Sequence, residues 1–204
     1  VPTFDAPLPS VQISLCVIHG NESRLIERML SSFAPAFDEL SLIRASGSAK
    51  TDDTQEKAVA WCAANGKKCV VGTHANAPGA ADWTHVDDFA AARNEAFSQA
   101  SGDWMLWADC DDTHEDAAEI RKLMGAAAPE TLMLRFPYDV TGTNKRPMRE
   151  RCLRRAGWES GARWAFPVHE NLQLPPGSQV ADHASPAWIH SPHEVTMAAR
   201  DRNL

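Results

Sequence analysis

Three aspartates crowd into four consecutive positions near the middle of the chain. Asp109, Asp111 and Asp112 follow a continuous apolar run, W-M-L-W-A at 104–108, which is typical of a central parallel strand covered on both faces. Carboxylates this close repel one another unless a cation or solvent relieves the repulsion. Oxygen ligands at this density suit Mg²⁺ or Mn²⁺, which bind a few carboxylates together with substrate phosphates. The cluster therefore predicts metal or nucleotide binding, although Asp112 could instead cap a helix predicted over 113–125.

Arg93 is predicted to face inward from a helix over 87–100. At about 100° per residue it falls within the apolar stripe of that helix, which comprises Phe89, Ala92, Ala96, Phe97 and Ala100. A guanidinium on this face needs an anionic partner, because burial of an unpaired charge is costly. A bound diphosphate or one of the aspartates could be that partner, and a purely structural Arg–Asp pair is the alternative.

Strands and helices alternate over the first 125 residues, which predicts an α/β domain with a mostly parallel sheet. Apolar runs predict strands at 11–18, 40–44, 68–72, 104–108, 132–136 and 187–190. Helical periodicity predicts helices after Asn21 as N-cap, over 53–65 behind a capping box of Asp52 and Gln55, over 87–100 and over 113–125. Polar clusters follow three of these strands, so they should converge at the sheet edge where ligands bind.

Length, charge and cysteine content restrict the class of protein. The 204 residues predict one domain over 1–204, with an extended lead-in at 1–10 and a helix-like end at 194–203 that could continue past Leu204. A net charge of −7 argues against a nucleic-acid binder as a whole. No apolar run approaches membrane-spanning length, and the N-terminus does not resemble a signal peptide. The odd number of cysteines, five, indicates free thiols in a reducing cytoplasm.

One segment of the chain is strongly basic. Between 144 and 155 it carries Lys145, Arg146, Arg149, Arg151, Arg154 and Arg155, interrupted among charged residues only by Glu150. Such a stretch could bind an anionic acceptor such as nucleic acid or a phosphorylated lipid. More often such a run is a solvated hairpin, and this is the interpretation that we favour.

Four segments, in order, resemble glycosyltransferase family 2. They are I-S-L-C-V-I-H-G-N-E at 13–22, G-S-A-K-T-D-D-T at 47–54, D-F-A-A-A-R-N-E-A at 88–96 and G-D-W-M-L-W-A-D-C-D-D at 102–112. More narrowly, the chain resembles a bacterial branch that carries W-x-x-D-F-A-x-A-R-N and ends in V-H-E-x-L. Here that ending is F-P-V-H-E-N-L at 166–172. The resemblance implies a GT-A fold, an α/β/α sandwich that forms a single catalytic domain.

The resemblance also implies roles for individual residues. The nucleotide-sugar would be bound by His19, Gly20, Asn21, Glu22, Ser46, Gly47, Ser48, Arg93, Asp109 and Cys110. Mn²⁺ or Mg²⁺ would be held by Asp109, Asp111 and a late histidine, His190, with His193 as a competitor. Glu170 is the candidate general base, because inverting transfer needs a carboxylate that takes the acceptor proton. In related enzymes this base opens a helix, and a structural pair of His169 with Glu170 is the alternative.

The predicted function is inverting, metal-dependent transfer of a hexose from a nucleoside-diphosphate sugar, with a UDP-sugar favoured. The acidic residue that the family usually carries before G-S, which holds the base, is replaced here by Ala45 and Ser46. The acceptor could be a protein, glycan, lipid or modified nucleic acid. A nucleotidyltransferase and a non-catalytic nucleotide-sugar-binding module are the alternatives. The first of these is disfavoured, because H-G-N-E at 19–22 is not a Gly-rich, basic phosphate loop.

Overall fold

The structure is a computed structural model that describes residues 11–114 and 116–191. The predicted lead-in, the predicted C-terminal helix and His193 lie outside these ranges. The strands are β1 (Ile13–His19), β2 (Glu39–Arg44), β3 (Lys68–Thr73), β4 (Trp104–Trp107), β5 (Asp112–His114), β6 (Thr131–Val140), β7 (Met148–Arg154), β8 (Arg163–Ala165), β9 (Asn171–Gln173), β10 (Gln179–Asp182) and β11 (Trp188–His190). The helices are α1 (Ile26–Phe33), α2 (Thr54–Ala64), α3 (Phe89–Gln99), α4 (Ala117–Ala126) and α5 (Arg155–Glu159), with a 3₁₀ turn at Pro78–Ala80.

Within the described ranges, nine strands form one mixed sheet in the order β3-β2-β1-β4-β7-β6-β11-β5, with β10 added beside β6. Strands β1 to β4 run parallel to one another, and β7 runs antiparallel between β4 and β6. The short strands β8 and β9 form a separate antiparallel pair. Because β1, β2 and β4 are parallel, the loops that follow them leave the sheet at the same edge, as the sequence predicts.

The central strand β1 is buried along its whole length, and its side chains alternate between two cores. Leu15 and Val17 belong to a core covered by the apolar residues of α1, α2 and α4. Cys16 and Ile18 belong to a core on the opposite face, where α3 packs. This three-layer arrangement explains why the strand is apolar at every position except Ser14 and His19.

Ser14 faces a buried carboxylate at the opposite edge of the sheet. Glu39 is 4% exposed and accepts hydrogen bonds from Ser14 Oγ at 2.8 Å and from the Ser101 backbone at 2.7 Å. Lys68 Nζ lies 2.5 Å from it. Burial alone would raise the pKa of Glu39, but these partners outweigh burial and lower it to about 2. Glu39 therefore stabilises the fold, at the edge of the sheet opposite to the one where the loops after β1, β2 and β4 leave.

One predicted helix start is wrong. The helix α1 begins at Ile26 behind Leu25, and Asn21 instead donates to the Lys50 carbonyl and accepts from the Asp52 backbone N–H. The helix α2 begins at Thr54, one residue after the predicted start, and Asp52 Oδ1 accepts from Thr54 N at 3.0 Å. The Asn21 side chain therefore bridges two loops rather than capping α1, which a local pattern cannot reveal.

The helix predicted over 113–125 also starts later than expected. Residues 112–114 form β5, an antiparallel partner of β11, and α4 begins at Ala117 with Asp116 accepting from Glu119 N at 3.1 Å. The capping role considered for Asp112 is therefore wrong. None of the helices in the described ranges has the length and apolar composition of a membrane span. All five cysteines are free thiols.

Candidate functional site

A cavity of about 490 Å³ opens at the edge where β1, β2 and β4 end. It is lined by Ile18, His19, Gly20, Glu22, Ala45, Phe89, Arg93, Asp109, Cys110, Asp111, Arg149, Val168, His169, Glu170 and His190. Its volume is in the range of ligand sites in proteins. The wall is rich in charged and imidazole side chains, so a polar ligand fits it better than an apolar one.

One wall of the cavity carries Asp111 and His190, and His190 also contacts the buried Asp112. The pairing of β5 with β11 sets His190 opposite Asp112, and its Nδ1 lies 3.1 Å from Asp112 Oδ1 and 3.3 Å from Asp111 Oδ1. One ligand atom from each of the three residues lies within 4.8 Å of the others. Burial alone would lower the pKa of His190, but the two carboxylates raise it to about 10. Without a metal the imidazolium therefore balances the carboxylates.

Asp112 differs from Asp111 because it is fully buried and held from several sides. Its Oδ2 lies 3.4 Å from Arg151 Nη1, and its Oδ1 accepts from the Tyr138 hydroxyl at 3.1 Å. Arg151 is itself buried, with its guanidinium carbon 3.9 Å from the centre of the Trp107 ring. The prediction of a solvated basic hairpin is therefore wrong for Arg151. Sequence reasoning missed it because its partner lies 39 positions away.

Arg93 is buried and bridges two acidic residues, which confirms the expected inward orientation. Its Nη2 donates to Asp109 at 2.8 Å and its Nε donates to Glu170 at 2.7 Å. Burial alone would raise the pKa of Asp109, but Arg93 outweighs burial and lowers it. Asp109 thus faces Arg93, and the group of metal-ligand atoms comprises Asp111, Asp112 and His190 instead.

Glu170 lies on an irregular segment that packs against the start of α3. Phe89 N donates to the Pro167 carbonyl at 3.0 Å, and both Phe166 and His169 have positive φ angles, 74° and 59°. Non-glycine residues with positive φ are uncommon and concentrate at functional sites. The segment continues into β9, so the expectation that Glu170 opens a helix is wrong.

The structure separates the residues predicted for the nucleotide-sugar into two groups. His19, Gly20, Glu22, Arg93, Asp109 and Cys110 line the cavity, as do Asp111, Glu170 and His190. The remaining four are not among the lining residues: Asn21, Ser46, Gly47 and Ser48. Ser48 Oγ donates to the Trp83 carbonyl at 2.8 Å, and the side chain of Ser46 lies against Gly20.

Comparison with known protein families bears directly on this cavity. The sequence model of the family described as Glycosyl transferase family 2 matches residues 14–172. The chain belongs to glycosyl transferase family 2. The matched region includes every cavity-lining residue except His190. A TPR repeat-containing protein of Synechococcus elongatus is 35% identical over 101 residues, which cover 50% of this family 2 chain and 21% of that protein.

Solved structures are similar to this family 2 chain at low sequence identity. S. aureus TarS in complex with UDP-GlcNAc has a TM-score of 0.65 at 14% identity, over 90% of this chain and 59% of that one. The mannosyltransferase PcManGT from Pyrobaculum calidifontis, in complex with GDP-Man and Mn²⁺, has a TM-score of 0.64 at 15% identity, over 100% and 64%. These likenesses confirm the predicted GT-A fold. The chain spans less than two thirds of either protein.

Proposed function

We propose that this chain is the catalytic domain of a metal-dependent, inverting glycosyltransferase that moves a hexose from a nucleoside-diphosphate sugar. A UDP-sugar is the favoured donor. The observation that carries the proposal is the Asp111–Asp112–His190 cluster, of which Asp111 and His190 line the cavity at the ends of β1, β2 and β4. Donor-nucleotide complexes of TarS and PcManGT, two proteins of similar fold, support the choice of donor class.

The chemistry of the cluster fits Mn²⁺ or Mg²⁺. Both ions accept carboxylate oxygens, and Mn²⁺ also accepts imidazole nitrogen. Arg151 already balances the charge of Asp112, so Asp111 and His190 would be the principal protein ligands. A bound metal would supply charge neutralisation for the departing diphosphate. The Mn²⁺ present in the PcManGT complex supports this choice of ion.

Asp109 and Glu170 would have different roles beside the metal. Asp109 is held by Arg93, which would keep it oriented toward the nucleotide. Glu170 receives the Arg93 hydrogen bond at Oε1, which leaves Oε2 able to take a proton from the acceptor hydroxyl. Arg93 would thereby fix the position of the base relative to the donor, as preorganised catalysis requires.

Calorimetry with UDP tests the proposal, with the protein in Mn²⁺ or in EDTA. We expect binding in Mn²⁺ and its loss in EDTA, because the metal would supply the positive charge that a diphosphate needs beside Asp111. Slow hydrolysis of a UDP-sugar in Mn²⁺ would distinguish an enzyme from a non-catalytic binding module. Parallel titrations with GDP test the choice of base. Equal UDP affinity in Mn²⁺ and in EDTA would refute the metal-dependent donor site.

A further inference from the structure

The basic stretch at 145–155 contains six cationic side chains, and the structure assigns four of them to other groups. Arg146 pairs with Asp139 at 2.9 Å, and Arg151 pairs with Asp112. Arg154 and Arg155 donate to backbone carbonyls, among them Thr131 O at 2.9 Å and Ala100 O at 2.6 Å. Within the described chain, the side chains of Lys145 and Arg149 have no such partner. Of these two, Arg149 alone lines the cavity of about 490 Å³ at the ends of β1, β2 and β4, called the large cavity below.

Arg149 differs from the other arginine of that cavity. Arg93 is neutralised by two carboxylates, whereas Arg149 is half-buried and faces no acidic side chain within hydrogen-bonding distance in the described ranges. A guanidinium is always charged and offers a planar set of donors that matches phosphate or carboxylate oxygens. An unpaired one in a cavity wall is therefore suited to an anionic ligand.

The order of the strands places Arg149 on a particular side of the cavity. Ala45 follows β2 and His19 ends β1, while the aspartates follow β4, the next strand along. Arg149 lies on β7, on the far side of β4 from β1. A donor whose nucleoside lies at β1 and β2, and whose diphosphate lies at the aspartates, would therefore leave Arg149 on the side where the acceptor enters.

We propose that Arg149 binds an anionic group, a phosphate or carboxylate, on the acceptor and thereby selects anionic acceptors. This inference rests on the proposed function, because that function defines which side the donor takes. The same guanidinium chemistry could instead serve the donor diphosphate, so the experiment separates these two sources of the anion.

The experiment compares wild type with Arg149→Met, Arg149→Lys and the matched control Arg146→Met. Arg146 lies on the same hairpin but outside the large cavity, paired with Asp139. In a first titration UDP is added in Mg²⁺. In a second, glycerol 3-phosphate is added in Mg²⁺, with and without saturating UDP, and glycerol is the neutral probe. Thermal unfolding verifies that each variant is folded.

We expect Arg149→Met to weaken glycerol 3-phosphate binding roughly 10- to 100-fold, as expected for loss of charge-assisted hydrogen bonds. Arg149→Lys should retain part of this binding, and Arg146→Met should retain all of it. UDP affinity should change less than about twofold, because it depends on the metal cluster.

A fall in UDP affinity with phosphate-ester binding intact would assign Arg149 to the donor and overturn the proposal. Phosphate-ester binding that persists in Arg149→Met, or that matches glycerol in wild type, would also overturn it. Wild type that fails to bind UDP would instead refute the proposed function, and the titration without UDP would still report on Arg149.

Discussion

Asp111 and Asp112 are adjacent carboxylates of one cluster, yet removal of their charges should have opposite consequences. Asp111 is 18% exposed, and its side chain is paired only with His190 in the described structure. Asp112 is 0% exposed and is the ion-pair partner of Arg151, which is also 0% exposed. We expect Asp111→Asn to lose metal binding and keep its stability, whereas Asp112→Asn should lose stability.

The magnitude follows from the 3.4 Å distance between Asp112 Oδ2 and Arg151 Nη1. At an effective dielectric constant of about 20, their attraction is about 5 kcal/mol. Part of this lost attraction is offset, because asparagine, unlike aspartate, places no charge in the protein interior. Removal of one partner of a buried ion pair typically lowers the free energy of unfolding by about 3–5 kcal/mol. In a chain of this size this corresponds to a fall in Tm of roughly 10 °C. For Asp111→Asn the cost should be under about 1 kcal/mol, because relief of repulsion from Asp112 offsets the lost contact.

The assay is thermal and urea unfolding of both variants in EDTA, so that metal binding does not contribute to stability. A double variant, Asp112→Asn with Arg151→Met, is the internal control. Removal of both charges should restore part of the stability, because the arginine is no longer left buried and unpaired. Calorimetry with Mn²⁺ then reports the effect of Asp111→Asn on the metal site.

Two results would refute this reasoning. One is equal destabilisation by the two single substitutions, which would mean that burial does not separate their roles. The other is full Mn²⁺-dependent UDP binding by Asp111→Asn, which would remove Asp111 from the metal site.

Three further substitutions test other parts of the structure. Glu170→Gln should lower the transfer rate about 10²- to 10⁴-fold, because the amide cannot accept the acceptor proton, while UDP-sugar affinity changes little. Transfer rate and UDP-sugar affinity are measured on the same preparations. Loss of both rate and affinity would make Glu170 a donor-site residue. Glu39, with its folded pKa lowered to about 2 by Lys68 and its hydrogen bonds, should add roughly 3 kcal/mol to stability above pH 4.5. That contribution should vanish as the pH falls toward 2, so urea unfolding of Glu39→Gln should show a flatter acid profile than wild type. Gly47→Ala should destabilise the fold by more than about 1 kcal/mol in thermal unfolding, because φ is 56° and a Cβ would lie 2.5 Å from the His85 carbonyl; unchanged stability would contradict this geometry.

The sequence predicted those parts of the fold whose signal is local. Fully buried strands such as β1 and β4 are continuous apolar runs, and Arg93 was recognisable because it interrupts an apolar helical stripe. The strand β7 was hidden because its sequence, M-R-E-R-C-L-R, shows neither a continuous apolar run nor simple alternation. The strand β5 was missed because three residues become a strand only through pairing with β11.

The residues of the site were predictable in part, but their pairings were not. Asp109, Asp111, Glu170 and His190 were identified from residue type, order and family resemblance, and all four line the cavity. The pairing of Asp109 with Arg93 and of Asp111 with His190 depends on the relative placement of β4, β5 and β11, which no local pattern encodes. Arg149 stands out in the sequence only as part of a basic run, because charge alone does not distinguish a side chain in a cavity from one in solvent.

The strand β11 also has a consequence for the order in which the protein matures during synthesis. It lies between β6 and β5, and β5 has no other strand partner in the described sheet. The ribosome therefore delivers Asp112 78 residues before His190, its partner across the β5–β11 pair. A nascent chain that has emerged only as far as β9 contains β1, β2 and β4, but it lacks the His190 imidazole. If Asp111 and His190 hold a metal as proposed, metal binding would be delayed until nearly all of the described chain has left the ribosome.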